Sequence, residues 1–70
     1  MKEYVTLRIK RSYDGTKCEV YQKGTVIYST TDETYLVVET VLNHMEQQRW
    51  NFVQMVGDQH LYDLILTFVR

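Results

Sequence analysis

The stretch from residue 42 to 56, LNHMEQQRWNFVQMV, constrains this chain more than any other. Up to Met45 the apolar residues recur every three or four positions, the spacing of one helix face. After Trp50 they recur every second position, as in a strand. A chain that switches period so abruptly must carry a helix directly into a sheet, which implies an α+β fold with the helix lying across strands.

Working backwards, Val38, Val41, Leu42 and Met45 form the stripe that should face the sheet, and Glu39, Asn43, Glu46 and Gln47 form the wet face. Tyr35, Leu36 and Val37 widen the stripe, so the first helical turns are expected to be covered on more than one side. Thr30 and Glu33 have the spacing of a capping box, with Asp32 and Glu33 placed to complement the helix dipole.

Strand signals flank the helix. From Tyr4 to Ser12, Val5, Leu7 and Ile9 alternate with Thr6, Arg8 and Lys10, a half-buried strand. Tyr13-Asp14-Gly15-Thr16 then reads as a turn. Residues 18–21 and 25–29 are β-prone. Gly24 between them is either the corner of a tight turn or a bulge in one long strand. After Trp50, Phe52, Gln54 and Val56 fall on one side and Val53 and Met55 on the other. Gly57-Asp58-Gln59-His60 reads as a turn. The closing strand places Tyr62, Leu64, Leu66 and Phe68 on one face and Asp63, Ile65, Thr67 and Val69 on the other. The expected molecule is a single domain over residues 1–70: an antiparallel sheet of four to five strands with one helix packed on one face, in the order β-β-(β)-α-β-β.

One helix shields one side of a sheet. Ile65 and Val69, with Val53 and Met55, are therefore expected to form leftover apolar surface and to mediate self-association. A chain of 70 residues buries only about 60% of its unfolded surface, and its single cysteine, Cys18, excludes an internal disulfide. A homodimer or higher cyclic oligomer, formed through the sheet face or an edge strand, supplies the missing stability.

Composition narrows the function classes. No apolar run approaches the 18 or more residues of a membrane span, and residues 1–11, MKEYVTLRIKR, alternate charged and apolar residues unlike a signal peptide. With a lone cysteine, a cytoplasmic location is expected. Net charge is −1, but residues 1–29 carry a balance of +3 and residues 30–70 a balance of −4. That asymmetry serves either to steer a partner, to pair two copies head to tail, or simply to solvate two faces.

The residues do not assemble a reaction. His44 suits a surface histidine near a helix C-terminus, His60 a solvent-facing turn, and Cys18 a small core residue on the Val20 face of a strand. There is no metal-ligand spacing, no glycine-rich phosphate loop and no Ser-His-Asp set. No catalytic residue, metal or cofactor is expected.

The order of elements, and the run from Leu42-Asn43 through Trp50-x-Phe52-Val53-x-Met55-Val56 to a strand ending Phe68-Val69-Arg70, resembles a family of very small bacterial proteins known only as a domain of unknown function. The likeness is best over residues 31–70. It extends loosely to Tyr4-Val5-Thr6-Leu7, which matches the family's opening strand. The resemblance implies the same succession of strands, leucine-rich helix, Trp-initiated strand and basic closing strand, and it implies no activity. The chain has Glu46 and Arg49 where the family tends to have glycines. If Arg49 adopts left-handed geometry to end the helix, it bears a cost of about 1–2 kcal/mol that glycine avoids.

Three functional expectations follow. The first is a small non-enzymatic interaction or regulatory module that self-associates and binds a larger protein. The second is a nucleic-acid-binding accessory, in which Tyr4, Arg8, Lys10, Lys17 and Tyr21 on the outer face of the first hairpin contact phosphate and stack on bases. Cross-strand pairing on a solvated face needs the same residue types. The third is a small-molecule sensor with a pocket at an oligomer interface.

Overall fold

Among the described residues, three antiparallel strands precede one helix and two follow it. A computed structural model describes residues 1–57 and 63–70. The elements are β1 (Tyr4–Arg11), β2 (Cys18–Gln22), β3 (Thr25–Thr30), α1 (Thr34–Gln47), β4 (Asn51–Gly57) and β5 (Asp63–Val69). The fold is α+β, with one five-stranded sheet in the order β3-β2-β1-β5-β4 and every neighbouring pair antiparallel. The final hairpin therefore docks β5 against β1, and α1 carries the chain from one edge of the sheet to the other.

Alternation decides which side chains meet. Leu7 and Ile9 of β1, Cys18 and Val20 of β2, and Leu64, Leu66 and Phe68 of β5 all point to one face. There they form a buried cluster with Val37, Val41 and Met45 of α1. Val5, Val38, Leu42 and Trp50 pack around it, partly buried. Tyr35 and Leu36 are exposed, so the expected wide apolar covering of the first helical turns reduces to Thr34 and Val37.

The two hairpin turns follow their residue chemistry. In the β1–β2 turn, the Asp14 carboxylate accepts from the hydroxyls of Ser12 and Thr16 and from the Thr16 N–H, at 2.7, 2.8 and 3.1 Å. Lys23 and Gly24, at φ 52° and 78°, make a two-residue turn of the kind that matches strand twist. Gly24 is thus the corner of a turn. A bulge lies further on, where Val20 pairs with Tyr28 but Tyr21 pairs with Val26, leaving Ile27 as the extra residue.

Two local expectations are corrected. Thr30 remains the last residue of β3, where its hydroxyl accepts from the Asp32 N–H, so it forms no capping box with Glu33. Glu33 itself occupies the N-cap without a side-chain bond. The helix start is instead held by Arg11. Its guanidinium donates to Thr34 Oγ1 at 2.8 Å, to the Asp32 carbonyl at 2.6 Å and to the Gly15 carbonyl at 2.8 Å. The second correction lies in β4. Phe52 pairs with Phe68 but Gln54 pairs with Thr67, so Val53 is an extra residue that breaks the alternation. Phe52 shares the helix side with Met55, while Gln54 and Val56 share the opposite side with Thr67 and Ile65.

At its C-terminus α1 ends in a Schellman motif. The Arg49 N–H donates to the Glu46 carbonyl and the Trp50 N–H to the Met45 carbonyl, with Arg49 left-handed at φ 67°. The Arg70 guanidinium lies 4.2 Å from the Trp50 ring centroid and donates to the Gln48 carbonyl. Gly57 is the last residue of β4; the rest of the turn read at 57–60, and Tyr62, lie outside the described residues.

Candidate interaction surface

The face of the sheet opposite α1 carries Tyr4, Thr6, Arg8 and Lys10 from β1, Glu19 and Tyr21 from β2, and Asp63, Ile65, Thr67 and Val69 from β5. Four of the five residues expected to contact nucleic acid, Tyr4, Arg8, Lys10 and Tyr21, therefore share one face, and with Lys23 and Ile65 they line a shallow groove. Lys17 sits outside the strand, in the loop that enters β2. The groove is less basic than the sequence suggests. Arg8 is engaged by Asp63 through two side-chain hydrogen bonds, Nε to Oδ1 at 2.8 Å and Nη2 to Oδ2 at 2.5 Å. The bonds to Arg8 hold the Asp63 carboxyl below its ordinary range and push the Arg8 guanidinium up. Lys10 sits directly opposite Glu19 on one side and Asp63 on the other.

The residues expected to drive self-association do not form one patch. Ile65 and Val69 lie on the open face, Met55 lies opposite Leu66 on the helix side, and Val53 occupies the bulge. What unites the apolar exposure is β4 itself. All seven of its residues are exposed, including Phe52, Val53, Met55 and Val56, and Ile65 next to it is 43% exposed. Phe52 meets Phe68 edge to face, with centroids 5.8 Å apart, but keeps half its surface in water. No strand lies beyond β4 among the described residues, so one row of its backbone N–H and C=O groups faces outward.

The remaining candidates have quieter surroundings. Cys18 is fully buried beside Thr34, and burial pushes its thiol pKa up, the reverse of an activated nucleophile. His44 is exposed on α1 and shares a hydrogen bond with Gln48 at 3.0 Å between nitrogens. His60 is outside the described residues. Among the described residues no three of His, Cys, Asp and Glu gather as metal ligands. A narrow apolar cleft of about 240 Å³ opens between α1 and β3, lined by Ile27, Tyr28, Thr40 and His44 over Val20 and Val41. It is smaller than the 300–1,000 Å³ usual for ligand pockets.

Two contributors lie outside the local sequence pattern. Arg11 is in phase with Leu7 and Ile9, and an arginine on the core side of a strand is itself a sign of a clamped guanidinium. The facing of Met55 depends on a bulge at Val53 that alternation hides. Among the described residues no helix is long and apolar enough to cross a membrane. No family model, curated protein or solved structure matches this chain.

Proposed function

We infer that this chain is a small non-enzymatic interaction module that associates with itself and presents its sheet to a larger protein. One observation carries the reading: β4 is an edge strand of seven residues without a charge, exposed on both faces. Proteins that stay solitary guard such edges with lysine, proline or a covering loop. Sedimentation from low to several hundred micromolar is expected to reveal species heavier than the 8.4 kDa protomer. A lone 8.4 kDa species throughout would overturn the reading.

Nucleic-acid binding is the weaker alternative, because it needs Arg8 and Lys10 to meet phosphate while Asp63 already binds Arg8 and Glu19 and Asp63 stand opposite Lys10. A salt-sensitive affinity for single-stranded RNA that vanishes in an Arg8→Ala, Lys10→Ala double variant would restore it.

A further inference from the structure

The sheet has two edges, and they differ. On β3, Thr25, Tyr28, Ser29 and Thr30 put hydroxyl groups on four of six residues. On β4 the sequence NFVQMVG has none; neither edge carries a charge, but β4 exposes Phe52, Val53, Met55 and Val56 where β3 exposes Val26, Ile27 and Tyr28. Apolar side chains flank the β4 edge above and below the sheet: Phe52 and Met55 on the helix side, Val56 with Ile65 on the other, each between 43% and 57% exposed. A partner covering only one face would leave half of these wet. A strand added alongside covers both sets and satisfies the outward backbone row at once.

An identical strand fits this edge. Across a two-fold axis the same residues face one another, so an isologous contact tolerates no charge near the axis, and residues 51–57 carry none. Joining β4 of one copy to β3 of the next would instead leave an edge free at each end and grow without closing. We propose that β4 pairs antiparallel with β4 of a second copy about a two-fold axis perpendicular to the sheet, merging two five-stranded sheets into one of ten strands. The proposal rests on the self-association inferred above and adds the strand, its direction and its symmetry. Both helices then lie on the same face. Seven residues at about 3.4 Å each give roughly 24 Å of edge. Such an interface falls in the small class below about 1,200 Å², so the dimer is a reversible one that follows concentration.

Charge placed on the edge tests the symmetry. Gln54 is exposed and lies on the open face opposite Thr67, so neither lysine nor glutamate there disturbs the core. With the axis at Gln54 or Met55, in the regular stretch beyond the bulge, the two copies of residue 54 come within about 8 Å. In low salt, Gln54→Lys alone and Gln54→Glu alone should each weaken dimerisation by about tenfold or more. An equimolar mixture should recover wild-type affinity by forming the mixed dimer, which also shows that both variants are folded. If the wild-type protein dimerises and neither charge weakens it, or the mixture fails to recover, the β4 geometry is overturned while self-association stands. If the wild-type protein is monomeric at every concentration, both fall.

Discussion

Arg49 bears a conformational cost that the helix C-terminus imposes on it. Its φ of 67° belongs to the region where a Cβ crowds the following carbonyl, at about 1–2 kcal/mol for any residue but glycine. The Schellman bonds from Arg49 and Trp50 run through backbone, so they survive truncation of the side chain. Arg49→Gly removes the strain and returns about 0.5–1 kcal/mol to the unfolded chain as glycine's freedom. A net gain of about 0.5–1 kcal/mol is expected, seen as a melting temperature higher by several degrees. A lower one would show that the arginine side chain holds the turn. Asp14 makes the opposite kind of contribution. Three donors lower its pKa from 3.8 to about 2, so the folded state favours the ionised form. The resulting stability is complete above the unfolded value and is lost as pH falls through the folded one. In urea titrations, wild type should exceed Asp14→Asn by a margin that is constant near neutrality and shrinks between pH 4 and pH 2. A margin unchanged at pH 2 would detach the effect from the carboxylate charge. Both positions were legible in the sequence, one as a helix stop lacking glycine and the other as an Asp-Gly turn.

At the scale of elements, regular strands announce themselves and irregular ones do not. The alternation in β1 and β5 placed Leu7, Ile9, Leu64, Leu66 and Phe68 on one face because nothing interrupts their pairing. In β4 the extra residue at Val53 reverses the facing of everything after it. A bulge depends on the partner strand, so the β4 sequence alone carries no mark of it. The start of α1 departs from its local signal for a related reason: Arg11, 21 and 23 residues upstream, holds the Asp32 carbonyl and the Thr34 hydroxyl, and no local motif reports so distant a donor. Local residue chemistry assigns Gly57 to a turn, yet it closes β4 against β5, where a Cβ would lie 2.6 Å from the Asp63 carbonyl oxygen and 2.2 Å from a Leu64 methyl. The carbonyl belongs to a paired strand and cannot yield as a side chain can. Gly57→Ala should therefore cost about 1–3 kcal/mol in chemical unfolding. An alanine variant as stable as wild type would mean that β4 ends before this residue.

For the whole molecule, the uneven charge of the sequence is partly consumed within the chain. Asp63 from the acidic part closes on Arg8 from the basic part across β1 and β5, so that pair is internal and not a means of matching one copy to another. What remains for association is the two uncharged edges, of which β4 is the more apolar, and the size of the chain gives that edge thermodynamic weight. A domain of 70 residues is marginal alone, and any partner that binds only the folded state adds stability by mass action. If β4 joins two copies, a hundredfold rise in concentration contributes at most about 2.7 kcal/mol per dimer, or about 1.4 kcal/mol per protomer. At 4–8 °C per kcal/mol for a domain of this length, the melting temperature should climb by up to roughly 5–10 °C between 5 and 500 µM. Gln54→Lys should flatten that climb while keeping the melting temperature of the dilute wild-type protein. A wild-type melting temperature indifferent to concentration would mean that association, if it occurs, leaves the fold no more stable than it is alone.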